Sequence, residues 1–358
     1  MSDLGIGIIG LHNHYHAFPM ANYLKRGMAG LRLVAVSDER ADIGEAFARE
    51  YCAGNYHADY RDLLDRPDVD AVIVTSYTSI HADQVEAAAE AGKPVLLDKP
   101  IATNLEDAAR IVAASGRVKV MMAHLLRFLP IYRKAWEMVQ EGVVGELVSG
   151  LYSIRIPADF IKDSPHATSQ GWYADVTKSG GGGFIDHGVH FTDFFRWFFA
   201  SDAKDVVARI ASLTYRNLSV EDYGIATYRL KSGAITTVES TWHAAEWYGP
   251  IASPDRCTLT GTEGEIELHY QKSPQLEIAT RVGSARGRSY FDLQGEDREL
   301  VCYRKLLEEF GRYVIEDRAP TPSALDGYHA LAMVLAAYES SRLGRTVSLS
   351  AEVAAGVS

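Results

Sequence analysis

Five short apolar runs punctuate the first third of the chain, and the segments between them have helical length and periodicity. The runs are Ile6–Ile9, Leu31–Val36, Val69–Val74, Pro94–Leu97 and Val118–Met122. They carry too few polar side chains to expose one face to water, so both faces of the sheet they form are covered. His16–Lys25, Ala41–Tyr51, Tyr60–Leu64 and His81–Ala91 read as the covering helices, with a further one capped by Asn104 and running to about Ser115. Parallel strands need crossover connections of this length, whereas a hairpin would join antiparallel ones. The pattern therefore predicts an α/β Rossmann-type domain, a doubly wound parallel sheet. Ligands of such a sheet sit at the carboxyl ends of its strands. Here those ends carry Gly10, Asp38, Thr75 to Thr78 (with Ser76 and Tyr77 among them) and Lys99.

Pro130 to Glu141 reads as a helix leading out of this domain, and beyond it the pattern changes. Glu146–Ile156, Val206–Tyr215, Tyr223–Leu230, Ala234–Trp242, Arg256–Leu259, Glu265–Tyr270, Leu276–Thr280 and Arg288–Leu293 alternate like half-buried strands. Lys231-Ser-Gly233 and Thr260-Gly-Thr-Glu-Gly264 read as the turns of hairpins. The prediction is an α+β domain with a large, mostly antiparallel open sheet, closed by helices at about Glu299–Glu316 and Asp326–Leu343. A chain of 358 residues exceeds what one core usually organises. The expected division is residues 1–123 for a nucleotide-binding domain and 124–358 for substrate binding and oligomerisation. One sheet face should take the phenylalanines and Trp197 of a helix over 185–199. The other mixes Thr, Tyr and aliphatic residues and suits burial against a second copy, giving a homodimer or homotetramer.

Charge narrows the partners. A formal net charge of −11 without a lysine- or arginine-rich run disfavours nucleic acid and anionic membranes. Arg196 interrupts the longest apolar stretch below bilayer length. Cys52, Cys257 and Cys302 are scattered, forming neither a disulfide framework nor a Cys-x-x-Cys metal signature. The start, Met1-Ser-Asp-Leu, leads straight into a strand without an export signal, so a cytoplasmic protein is expected.

Two stretches carry chemistry. The first is Gly10-Leu-His12-Asn13-His14-Tyr15, after the first strand. A dinucleotide loop has Gly-x-Gly-x-x-Gly there. Only the first glycine is kept; His12 and Tyr15 occupy the places of the second and third. The tight turn, the following helix N-terminus and the acidic Asp38 after the second strand remain. Asp38 suits ribose hydroxyls and repels a 2′-phosphate, favouring NAD over NADP, although Arg40 nearby bears on the same choice. Histidines 12, 14 and 16 raise the question of a metal, but no acidic or thiol partner sits at matching spacing, so none is expected.

The second stretch is Gly180-Gly-Gly-Gly-Phe-Ile-Asp186-His187-Gly-Val-His190. The glycines let the backbone approach something closely. A helix starting at about Phe184 or Ile185 then sets Asp186 and His190 one turn apart on one face. Alone, this pair reads rather as an ordinary helix start with a cap and a satisfied core histidine.

Several stretches, in this order, resemble the glucose-fructose oxidoreductase / inositol dehydrogenase / rhizopine-catabolism (Gfo/Idh/MocA) family over nearly the whole chain. Gly92-Lys-Pro-Val-Leu-Leu-Asp98-Lys99-Pro100 is similar to its Glu-Lys-Pro segment, with Asp for Glu, and Gly180–His190 to its Gly-Gly-Gly-x-x-x-Asp-x-Gly-x-His motif. Ser79-Ile-His81 is similar to the Ser-Leu-His that opens the helix after the third strand. Leu259-Thr-Gly-Thr-Glu-Gly264 and Asp326-Gly327 with Ala337-Tyr-Glu-Ser340 match later elements. The resemblance implies an NAD-dependent dehydrogenase acting on a secondary hydroxyl of a sugar, cyclitol or related polyol. It implies Lys99, Asp186 and His190 as the catalytic set: Lys99 stabilises the reacting oxygen and His190 takes the hydroxyl proton. Asp186 would orient the substrate or the imidazole. Gly10, His12, Asn13, Asp38, Ser76, Tyr77, His81 and Lys99 would meet the cofactor. Trp172, Tyr173, His187 and Arg127 would face the substrate, with Arg127 near the domain junction and His124 and His166 as weaker candidates. Two other readings share these residues: glycoside cleavage through transient oxidation by retained NAD, and a sugar or nucleotide sensor without turnover.

Overall fold

A computed structural model describes residues 3–28, 30–156, 171–243, 255–269, 273–283, 286–292 and 301–349. Within the first part the strands are β1 (Leu4–Ile9), β2 (Leu31–Ser37), β3 (Tyr56–His57), β4 (Ala71–Val74), β5 (Val95–Leu97) and β6 (Val120–Met122). They form one sheet in the order β3-β2-β1-β4-β5-β6, and every neighbouring pair is parallel. The doubly wound expectation holds. The edge strand β3 was missed in the sequence because two residues carry no readable periodicity. The strand order reverses between β1 and β4, which places the binding crevice beyond their carboxyl ends. Gly10 sits there at φ 78, and a Cβ on it would lie 2.5 Å from the Cβ of Ser76. No side chain fits that approach, so the one retained glycine of the loop is required by packing.

The second sheet comprises β7 (Leu147–Arg155), β8 (Ala203–Ala211), β9 (Tyr223–Leu230), β10 (Ile235–Thr241), β11 (Asp255–Gly261), β12 (Gly264–Leu268), β13 (Leu276–Thr280), β14 (Gly287–Phe291) and β15 (Val347–Ser348). Its order is β14-β13-β12-β11-β7-β10-β9-β8-β15, antiparallel throughout except for β7 beside β10. Here the strand expected over Val206–Tyr215 runs earlier, over Ala203–Ala211. Thr214 and Tyr215 instead turn back to donate their backbone N–H groups to Asp222 Oδ2, at 2.8 and 2.6 Å.

The helix Gly183–Phe199 lies across this sheet. Phe191 stacks on Tyr152 of β7 at 3.9 Å between ring centroids. A Cβ on Gly150 would lie 2.6 Å from the Phe195 ring, so that glycine seats the phenylalanine. The phenylalanines therefore meet the sheet as expected, whereas Trp197 stacks on Trp136 of the helix Pro130–Gln140, at 5.5 Å. The opposite sheet face leaves Val148, Leu151, Val207 and Ile235 exposed. The helix Val301–Ile315 returns to the first sheet, where Tyr303 donates to the carbonyl of Tyr15 at 2.9 Å. The helix Ala324–Leu343, opened by a Ser323–Asp326 capping box, packs along the glycine-led helix. Among the described residues, no helix is long and apolar enough to cross a membrane.

Candidate active site

The glycine stretch is held by residues far away in sequence. Gly180, at φ 83, ends the short helix Val176–Ser179 and comes so close to Thr103 that a Cβ would lie 2.9 Å from that residue's Cβ. A Cβ on Gly182 would lie 2.0 Å from the carbonyl oxygen of Glu221. The helix starts at Gly183, slightly before the expected residue, because its first amides have an acceptor from elsewhere. Glu221 Oε1 accepts from Gly182 N and Phe184 N, both at 2.9 Å, and from the Tyr338 hydroxyl at 2.6 Å. Those amides would otherwise be orphaned donors at a buried helix end. Nothing near Glu221 in sequence marks this role, since the acceptor lies 39 residues from Gly182.

Lys99 reaches this helix from the carboxyl end of β5. Its ammonium is buried at 5% exposure and donates to the carbonyl of Asp186 at 2.9 Å and to Asp186 Oδ1 at 2.8 Å. Those bonds use two of the three N–H donors of a lysine and leave one for a reacting oxygen. Burial pushes the Asp186 carboxyl up, but neighbouring His187 and the Lys99 ammonium outweigh it and hold the group below the ordinary carboxylate range. The second Asp186 oxygen lies 3.2 Å from His187 Nδ1. Asp186 thus pairs with Lys99 and His187 rather than with the imidazole one turn on.

His190 has no hydrogen-bond partner at its buried Nδ1. Burial drives its pKa well below 6.5, and the charge of Lys99 adds to the effect. Burial likewise lowers His124, whose ring lies 6.1 Å edge-on from that of His190 and whose two nitrogens have no protein partner. His187 is brought down to about 4, again by burial, against the opposing pull of Asp186. The arrangement sets a buried lysine near neutral imidazoles at His124, His187 and His190. It can accept a proton at His190 and stabilise a developing oxyanion at Lys99 without either group first changing its protonation state.

Asp98, the residue before Lys99, ties this wall to the phosphate loop. It accepts from Asn13 Nδ2 at 2.5 Å, from His16 Nδ1 at 2.6 Å and from the backbone N–H of Lys99 at 2.7 Å. Burial raises the Asp98 carboxyl, and His16 beside it more than reverses the shift. His81 is a staple: Nδ1 lies 3.0 Å from the carbonyl oxygen of Pro100 and Nε2 3.3 Å from that of Ser76. Ser76 itself donates to Gln84.

His12 is fully buried and stacks on Tyr77, with ring centroids 3.6 Å apart. Its Nε2 lies 2.7 Å from Glu39 Oε1, and Asp38 is alongside. The fold therefore supplies acidic neighbours that sequence spacing did not reveal. Trp172 lies over the same loop: its indole N–H donates to the carbonyl of His12 at 3.1 Å, and its ring stacks on Tyr173 at 4.0 Å. Arg127 is committed elsewhere, forming a fork with Asp193 at 2.8 and 2.6 Å and a longer contact of 3.3 Å with Asp326. His166 lies outside the described residues.

Comparison with known proteins gives matches over both parts of the chain. Residues 4–124 match the family described as "Oxidoreductase family, NAD-binding Rossmann fold", and residues 132–267 match the GFO/IDH/MocA C-terminal domain. A scyllo-inositol 2-dehydrogenase (NAD(+)) of Bacillus subtilis (strain 168) is 30% identical, over 97% of this chain and 95% of its own. A 1,5-anhydro-D-fructose reductase of Ensifer adhaerens is 28% identical, over 89% and 92%. Among solved structures, a levoglucosan dehydrogenase in complex with NADH shares the fold at a TM-score of 0.84, with 22% identity over 98% of this chain and 100% of that one.

Proposed function

The chain belongs to the Gfo/Idh/MocA family of NAD-binding oxidoreductases, and from that premise we propose that it oxidises a secondary hydroxyl of a cyclitol, sugar or related polyol. The observation that carries the reading is the bond from Lys99 to Asp186, which brings a strand end of the first sheet against the helix bearing His190. NAD, when bound, supplies the acceptor for the hydride leaving the hydroxyl-bearing carbon. Lys99 donates its remaining N–H to the substrate oxygen and stabilises negative charge there as the O–H bond breaks. His190, neutral because it is buried, takes that proton while the carbon–oxygen double bond forms. Asp186 positions Lys99, and His187 completes the carboxylate's partners.

The residues suited to hold NAD fit a dinucleotide. Gly10 stands packed against Ser76 at the switch between β1 and β4, and the helix His14–Lys25 begins just beyond it, where a helix N-terminus suits a phosphate. Asp38, held by Arg40, lies at the end of β2 where the adenosine ribose would sit, with Ser76, Tyr77 and Lys99 along the crevice. The neutral imidazole of His124 suits a hydroxyl, because it can donate at one nitrogen and accept at the other. Incubation with NAD and a panel including myo-inositol, scyllo-inositol, glucose and levoglucosan is expected to give NADH absorbance with at least one member. Absence of both NADH formation and NADH binding would refute the reading. We also propose a homodimer or homotetramer through the sheet face that exposes Val148, Leu151, Val207 and Ile235. Sedimentation of wild type against Leu151→Lys/Ile235→Lys tests it, with a smaller species expected for the double variant.

A further inference from the structure

The carboxylate of Asp38, which stands where the adenosine ribose of a dinucleotide would bind, has no open acceptor. Its side chain has 0% exposure. Oδ2 accepts from Leu11 N at 2.7 Å and from Arg40 Nη2 at 2.8 Å. Oδ1 accepts from Arg40 N at 3.0 Å and Arg40 Nε at 2.8 Å. A carboxylate offers about four lone-pair sites, and all are taken. Behind it, Tyr56 donates its hydroxyl to the Asp38 carbonyl at 2.9 Å. A ribose diol arriving as two O–H donors must displace the Arg40 fork or accept hydrogen bonds from it.

Arg40 is the partner that stays reachable, with its side chain 23% exposed. The fork to Asp38 uses two of the five N–H donors of a guanidinium and leaves the others for a ligand. A bare aspartate here would repel a 2′-phosphate. Joined to Arg40, it no longer presents an uncompensated charge, and the guanidinium matches a phosphate in planar, bidentate fashion. The remaining acid, Glu39, turns its carboxylate onto His12 at 2.7 Å and is 57% exposed. It retains some preference for the nucleotide lacking the extra phosphate.

We propose that Arg40 sets nucleotide choice: it occupies Asp38 and receives a 2′-phosphate, so the site takes NADP as well as NAD. The inference rests on the reading of the first sheet as a dinucleotide site. It is tested by binding rather than turnover, titrating the full-length protein with NADH and NADPH and following ligand fluorescence. Wild type is expected to bind both. Arg40→Leu should weaken NADPH relative to NADH by roughly ten- to hundredfold, the range for losing a charge-assisted contact. Glu39→Gln should move the ratio the opposite way. Arg40→Lys keeps a point charge without the fork, retains part of the NADPH binding, and serves if the leucine variant melts early. Wild type binding NADH but not NADPH, or a ratio unmoved in Arg40→Leu, overturns the inference and leaves the dehydrogenase reading standing. Wild type binding neither nucleotide overturns both.

Discussion

Replacing Lys99 by Met separates what its ammonium does for stability from what it does for turnover. Met keeps most of the buried stem and removes the charge. Asp186, whose side chain is 10% exposed, then loses two contacts from one donor, at 2.9 and 2.8 Å. Removing one partner of a buried ion pair costs about 3–5 kcal/mol, because the remaining charge stays buried. Removing Lys99 also removes one of the charges that depress His187, 3.2 Å from the other Asp186 oxygen, so that imidazole takes a proton more readily and the lower end of that range is expected. Asp186→Asn alone strands the lysine and should destabilise as well. The double variant carries no charge at either position, so its loss should be smaller than the sum of the singles by roughly 1–3 kcal/mol. Turnover should behave differently. Removing a donor to a developing oxyanion costs about 10²–10³ in kcat, and neutralising Asp186 restores no such donor. Urea unfolding of wild type, both singles and the double gives the stability cycle; NADH formation with the best polyol of the panel gives the rates. A double variant whose loss equals the sum of the two single losses would refute the buried-pair argument. Wild-type kcat in Lys99→Met would refute the role at the oxygen.

Arg127→Ala should destabilise by about 3–5 kcal/mol, because it leaves buried Asp193 unpaired. KM at a temperature where the variant is folded should stay unchanged; a large rise in KM would return Arg127 to the substrate. Burial also makes the fold acid-sensitive. His81, His124, His187 and His190 are all depressed by desolvation, so each binds its proton in the unfolded chain near pH 6.5 but in the fold only at lower pH, about 4 for His187. Stability is therefore retained above pH 6.5 and lost as pH falls below it, by up to about 1.4 kcal/mol per pH unit for each histidine. Unfolding free energy measured from pH 7 to pH 5 should fall steeply, and His124→Phe should flatten the slope; an unchanged free energy over that range would refute the assignment of neutral buried imidazoles.

Much of the fold was legible because its signals are local. The helices Ala41–Tyr51 and Tyr60–Leu64 and the strands Tyr223–Leu230 and Leu276–Thr280 lie where the apolar periodicity put them. The two-residue strands Tyr56–His57 and Val347–Ser348 were illegible, since they exist only through pairing with β2 and β8. The site divides in the same way. Asp186 and His190 share a helix face by spacing alone, and Asp38 follows a strand end by topology.

What the sequence determined by itself was the alternation of strand and helix, the place of the crevice, and the residue types gathered near it. Tertiary structure decided which of them act together. Lys99 and Asp186 are 87 residues apart, and Trp172 and His12 are 160 apart. No periodicity encodes such contacts, because backbone hydrogen bonding and apolar burial fix elements while side-chain partners depend on how the elements pack. The same holds for protonation: burial in the fold, which no local sequence signal encodes, takes the pKa of His190 well below its ordinary value.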